Sequence, residues 1–167
     1  DVEHVKKCGI KLVLKGKPAI RFRPHQVFSS ILELSETPDI LLICTKVLPS
    51  IDLIPELKPI IKKETTIVLI QNGIDIEKKY MSAFPKNIVI RGLAFNCVTK
   101  IGPGNVVHQD YGKLTLGKYP SGSHPFVTKL VKYLESGNCE VVQSDQILKE
   151  SWIKLMWNAP FNPLSIL

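Results

Sequence analysis

The sequence predicts an α/β fold, a mostly parallel sheet with antiparallel strands added to it and helices covering it. Three observations carry that prediction. Short apolar runs at residues 39–46, 65–70 and 87–95 alternate with segments at helical spacing, the order of a parallel sheet with covering helices. A Gly102-Pro103-Gly104-Asn105 turn then joins strand-like segments in the manner of a hairpin. Residues 151–167 form a helical pattern with five polar side chains and no acidic one.

The elements follow in chain order. Residues 10–14 and 19–22 flank Lys15-Gly16-Lys17-Pro18 and read as a hairpin. Residues 39–46, DILLICTK, form an apolar run closing on polar residues, the pattern of a strand buried on both faces. Across residues 49–63, Leu53, Ile54, Leu57, Ile60 and Ile61 fall at helical spacing. Residues 65–70, TTIVLI, make a second buried strand, rich in β-branched side chains. That strand runs into the turn Gln71-Asn72-Gly73 and a short helix over about residues 75–84. Residues 87–95 are the third strand, and residues 106–109 and 113–117 continue the strand pattern beyond it. A helix over residues 123–136 has Ser123 as its N-cap and Pro125 in its first turn. Residues 139–142 read as a short strand.

Composition narrows the functional classes. Among 167 residues, 22 Lys and Arg stand against 15 Asp and Glu, a net charge of +7. A chain this basic meets anions: a phosphorylated cofactor, an acidic substrate, nucleic acid or a membrane surface. The basic residues are scattered without interleaved aromatics, so no nucleic-acid partner is expected. There is no basic-then-apolar leader and no run of 18 uncharged apolar residues, so neither secretion nor membrane spanning is expected. Cys8, Cys44, Cys97 and Cys139 lie far apart, without a CxxC pair or a histidine at zinc-finger spacing, and no metal site is expected. Cys44, Cys97 and Cys139 sit in or beside apolar runs and are expected as reduced, buried thiols in a reducing, cytoplasmic setting. The chain opens on Asp1 rather than Met, the sign of a processed end or of a longer protein.

The last helix is the most informative segment. With Trp152 at 0° and about 100° per residue, Ser151, Lys154, Asn158, Asn162 and Ser165 fall at roughly 260°, 200°, 240°, 280° and 220°, a stripe about 80° wide. Trp152, Leu155, Met156, Trp157 and Phe161 cover much of the remainder, the inverse of a surface helix. Such a helix is built to be surrounded by protein, with Lys154 facing a crevice or a polar interior. Lys154, Asn158 and Asn162 are spaced i, i+4, i+8. A lysine in an apolar setting has its charged form disfavoured, which brings its pKa toward the range useful for proton transfer. The asparagines offer donors and acceptors to a hydroxyl- and carboxylate-bearing ligand. The plainer alternative is a buried lysine paired with a carboxylate, the asparagines satisfying backbone freed by Pro160 and Pro163.

Lys46 and Asn72 stand at the carboxyl ends of predicted parallel strands, where open α/β sheets bind ligands. Their plainer readings are a solvated strand end and a turn dipeptide. His108 and Asp110 are either a pair or an exposed histidine beside an unrelated acid. No GxGxxG, Walker or GxSxG motif occurs.

Cys44-Thr45-Lys46, Gln71-Asn72-Gly73-Ile74, Gly92-Leu93-Ala94 leading to Gly102-Pro103-Gly104-Asn105-Val106-Val107-His108, and Trp152-Ile153-Lys154-Leu155 with Asn158 and Asn162-Pro163-Leu164 resemble, in this order, the ketopantoate reductase family. The resemblance spans the chain. It implies a Rossmann-type NADP-binding domain over residues 1–143, lacking its first βα turn. Residues 144–167 would then be the first helix of an all-helical second domain. It implies NADPH-dependent reduction of 2-dehydropantoate to pantoate, toward pantothenate and coenzyme A. By the same resemblance Lys154 matches the proton donor, Asn158 and Asn162 match substrate-contacting residues, and Lys46, Asn72 and Val98 match cofactor-side residues. The partner implied is a small 2-oxo acid, with a homodimer formed through the second domain.

Two departures go with it. The family's GxGxxG turn and the basic residue that favours NADPH precede the segment matched by Asp1-Val2-Glu3-His4-Val5, and the family's later serine and glutamate follow Leu167. The 167 residues alone are therefore expected to leave apolar helix surface uncovered, to bind NADPH poorly and to associate. Two rivals stay open: a reductase of another 2-oxo acid, and a non-catalytic nucleotide-binding protein on the same scaffold.

Overall fold

The computed structural model describes residues 1–164; Ser165 of the polar stripe and the two residues after it lie outside the described part. The chain divides into two compact units, Asp1–Ser35 with Phe95–Gly112, and Glu36–Ala94 with Lys113 onward. Two long strands, β5 (Val89–Gly102) and β6 (Asn105–Lys118), give a stretch to each.

The first unit opens with a helix the sequence reading did not foresee, α1 (Val2–Cys8). Glu3 in its first turn and Lys6 and Lys7 in its last complement the helix dipole. Gly9 ends it at φ 72°, its N–H returning to the Val5 carbonyl. A side chain there would stand 2.4 Å from the Phe22 carbonyl oxygen, so the position requires glycine twice over. The front hairpin is as predicted: β1 (Ile10–Leu14) and β2 (Ile20–Phe22) pair antiparallel with Ile10 opposite Phe22. β1 also pairs parallel with β6, Lys11 opposite Asn105. Pro103 and Gly104 form the turn that sends the chain back from β5 into β6. Phe95 and Tyr111 meet across that hairpin edge to face, ring centres 4.6 Å apart. Asp110 takes the N–H of Tyr111 on its own carboxylate.

The second unit has the strand order β3-β4-β5-β6-β7, with β3 (Ile40–Ile43), β4 (Thr66–Leu69) and β7 (Val141–Gln143). β3, β4 and β5 run parallel, Ile43 opposite Leu69 and Leu69 opposite Arg91, and β7 lies parallel to β6. Four helices belong to it: α2 (Ile54–Leu57), α3 (Ile76–Ala83), α4 (Pro125–Ser136) and α5 (Ile147–Leu164). All four residues of β4 are buried, as the β-branched run implied. Val68, Ile90 and Leu116 from three neighbouring strands pack with Val127, Leu130 and Val131 of α4. Each such side chain contributes roughly 1.5–3 kcal/mol on burial. Ile67 and Leu69 alternate to the opposite face.

Four expectations need correction. The helix read over residues 49–63 is a single turn, α2, followed by turn structure. Pro59 stops it: proline brings no N–H to continue the hydrogen-bond ladder, although Lys58 before it keeps helical angles, φ −53° and ψ −42°. The strand of residues 39–46 is shorter than read and is not buried on both faces, because β3 ends the strand order and leaves Leu42 49% exposed. The cap of α4 is His124, whose Nδ1 accepts the N–H of Phe126 at 3.2 Å, rather than Ser123. Cys44, Cys97 and Cys139 are exposed free thiols instead of core residues. Cys44 follows the outermost strand β3, Cys97 lies in the half of β5 beyond the buried stretch, and Cys139 follows the turn that closes α4. As expected for these 167 residues alone, α5 is uncovered along much of its apolar surface, with Trp152, Ile153, Met156, Trp157 and Phe161 all exposed.

Candidate active site

The site forms within the second unit, where the ends of β4 and β5 meet α5. Two contacts seat the start of that helix. Ile147 is fully buried, and Gly117 on β6 lets it approach: a side chain at Gly117 would stand 2.6 Å from the Ile147 Cβ. The N–H of Ser144, just before the helix, donates to the Leu116 carbonyl at 2.8 Å.

From there the 3.6-residue period carries Ser151, Lys154, Leu155 and Asn158 along one face into a common pocket with Asn72, Gly73, Ile74, Arg91 and Leu93. The cavity measures about 20 Å³, room for about one water rather than an organic substrate. Ser151 is buried and donates to the Ile147 carbonyl, so its hydroxyl serves the helix.

Lys154 is the centre of the arrangement. Its Nζ donates to the Ala94 carbonyl at 2.7 Å and to Asn72 Oδ1 at 3.0 Å. An ammonium has three N–H donors, so two are fixed by the protein and one remains. The pKa of Lys154 lies below the ordinary lysine value, first because burial penalises the charged form and second because the Arg91 guanidinium repels it. Among the described residues no carboxylate pairs with it, so the plainer reading of a lysine in a buried ion pair finds no partner there.

The other sequence-derived residues divide. Asn72 is brought to Lys154 by a direct hydrogen bond, and Asn158 shares its pocket. Lys46 is exposed on the segment after β3, one strand over from Asn72 on the segment after β4. Asn162 lies further along α5 on the same polar stripe. Val98 belongs to the first unit and is exposed on β5. Among the described residues no group of three His, Cys, Asp or Glu could hold a metal ion, and no helix is long and apolar enough to cross a membrane.

Three residues were missed. Gln71 is buried, and its Nε2 donates to the Thr45 carbonyl at 2.8 Å and to Thr45 Oγ1 at 3.0 Å, tying the ends of β3 and β4 together just ahead of Lys46 and Asn72. Arg91 and Glu77 form a buried ion pair, Nε to Oε1 3.0 Å, behind the Asn72-Gly73 turn. Burial pulls the Arg91 pKa down and the Glu77 carboxylate opposes that. The signal was present: an arginine inside the apolar run IVIRGLAF requires a partner if the run is a buried strand.

Known proteins resemble this chain in sequence and in fold. Residues 1–121 match the family model "Ketopantoate reductase PanE/ApbA". A 2-dehydropantoate 2-reductase of Nostoc sp. is 33% identical over 120 residues, 68% of this chain and 38% of that protein. The crystal structure of 2-dehydropantoate 2-reductase from Methylococcus capsulatus superposes with a TM-score of 0.89 at 42% identity, covering 99% of this chain and 53% of that one. D-mandelate dehydrogenase, solved with NADH and anilino(oxo)acetate, shares the fold with a TM-score of 0.83 at 22% identity, covering 98% of this chain and 52% of that one. The chain thus spans about half the length of the solved relatives it matches.

Proposed function

This chain belongs to the ketopantoate reductase family, and from that premise we propose that the full protein reduces 2-dehydropantoate to pantoate with NADPH, on the way to pantothenate and coenzyme A. The observation that carries the proposal is Lys154, a half-buried ammonium held by two acceptors with its third donor uncommitted. The uncommitted N–H gives a proton to the ketone oxygen of the 2-oxo acid as that oxygen gains negative charge. The depressed pKa of Lys154 makes it a stronger acid than an exposed lysine, which suits the role. Asn158 shares the polar face of α5 with Lys154 and, with Asn162, supplies donors and acceptors for the substrate's hydroxyl and carboxylate. We assign α5 to the opening of a helical second domain beginning near residue 144.

The residues present fit a dinucleotide in part. Lys46 and Asn72 follow adjacent parallel strands whose ends lie in register, Ile43 opposite Leu69, an arrangement suited to phosphate and amide groups. Lys46, Asn72 and Val98 are the residues proposed to hold the cofactor, which supplies the hydride when bound.

The test is ketopantoate-dependent NADPH oxidation by the full chain beside its Lys154→Ala variant. Losing a general acid costs about 10²–10⁴-fold in rate, and undiminished turnover in the variant refutes the role of Lys154. A second reading, reduction of a different 2-oxo acid, is favoured by the likeness to D-mandelate dehydrogenase with its NADH and anilino(oxo)acetate. Turnover of aryl 2-oxo acids with NADH, absent with ketopantoate and NADPH, would select it.

A further inference from the structure

Arg91 is among the most buried side chains of the described residues, 1% exposed, on the stretch of β5 that pairs parallel with β4. A buried guanidinium is costly, and pairs of this kind can often be replaced by apolar residues without loss of stability. Packing alone therefore does not account for it. Its contacts do. Nε pairs with Glu77 at 3.0 Å, and Nη2 donates to the Gly73 carbonyl at 3.0 Å. Gly73 has a φ of 124°, and a side chain there would come within 2.9 Å of the Ile76 side chain. The Arg91 bond thus fastens the Gly73–Ile74 peptide, one residue beyond Asn72, whose Oδ1 accepts from Lys154. Arg91 also lines the pocket into which Lys154 points.

We propose that Arg91, locked by Glu77, is a positioning residue for Lys154: it fixes the Asn72-Gly73 turn that orients the lysine and presents a like charge to it across the pocket. The proposal rests on the reading of Lys154 as proton donor and assigns how that donor is tuned. The surrounding ionisable groups are few. Besides Lys154 on α5, the ionisable group lining the pocket is Arg91 of β5; from α3 Glu77 stands against Arg91, and Tyr119 after β6 lies in the field of that pair and of Asp75 and Lys78. The repulsion by Arg91 adds to burial in disfavouring the charged lysine.

The experiment is competitive acetylation of Lys154 with acetic anhydride across pH, read by mass spectrometry on the full chain and two variants. Arg91→Gln raises the Lys154 midpoint, through the loss of a close like charge. Glu77→Gln leaves it in place or lowers it, since it removes a negative charge. A merely loosened pocket hydrates the lysine and raises the midpoint in both variants alike. No rise in Arg91→Gln, or an equal rise in both, overturns the proposal. If either glutamine variant does not fold, the double variant Glu77→Met with Arg91→Met keeps the volume without the charges; it too raises the midpoint, and an unchanged midpoint there is equally fatal. The readout needs no turnover. Retained activity in Lys154→Ala would end the proton-donor reading without moving these titrations.

Discussion

Lys154 Nζ lies 2.7 Å from the carbonyl oxygen of Ala94, sixty residues earlier in the chain. That bond joins α5 to the last residue of β5 within the second unit, so the ammonium sits at the junction of helix and sheet and is held by main chain. A carbonyl acceptor cannot rotate away as a side chain can, so the bond fixes the direction of the ammonium.

The first expectation concerns pH. A proton donor acts in its protonated form, so kcat/KM for reduction falls as pH rises through the Lys154 pKa. Burial, then Arg91, lowers that pKa, so the alkaline limb has its midpoint below the ordinary lysine value of 10.5. A kcat/KM profile of the full chain checks it, and a limb at or above the ordinary value contradicts it.

Substituting Asn72 separates charge from geometry. Asn72→Asp puts a carboxylate beside the ammonium, which favours the charged form and moves the alkaline limb upward. Asn72→Ala removes an acceptor from a charged donor, worth about 1.5–3 kcal/mol, and lowers the rate about tenfold or more without an upward move. A pair of pH profiles distinguishes the two.

Gly117→Ala tests the seat of α5. A side chain there meets the Ser144 carbonyl oxygen at 2.5 Å and the Ile147 Cβ at 2.6 Å, neither of which is the end of a flexible chain. Overpacking of this kind costs about 1–3 kcal/mol, read as a lower midpoint in thermal or urea denaturation. An unchanged midpoint would mean that α5 can lift from β6 without penalty.

The apolar face of α5 makes a prediction about association. Met156 is 77% exposed, flanked by Ile153, Trp157 and Phe161, a patch of the kind that binds other protein surface. The 167-residue chain alone therefore self-associates, and Met156→Glu with Phe161→Glu reduces it. Light scattering against concentration decides, and a monomeric parent chain would count against the idea.

What could be read from the sequence was what a single pattern determines. The strand TTIVLI has no competing reading, and β4 is buried throughout. The polar stripe of residues 151–162 follows from the helical period alone, and it delivered Lys154 and Asn158 to one pocket. The errors arose where two principles competed. Residues 49–63 have helical spacing, but Pro59 overrides it. Cys44 sits in an apolar run, yet exposure depends on the strand's place in the sheet, and β3 is outermost. Ser123 is the better capping residue by preference, but the backbone turns one residue later and His124 takes the role. Arg91 went unread because its partner Glu77 lies on a separate element, α3, and only the fold brings them together.

Both tryptophans of the protein, Trp152 and Trp157, lie on α5, and each is 51% exposed. They flank Lys154 at distances of two and three residues along the helix. The tryptophan fluorescence of this chain therefore reports on one helix alone, the one that carries Lys154. Any ligand, neighbouring segment or second copy that covers that helix shifts the emission to the blue, and the site announces its own occupation without a label.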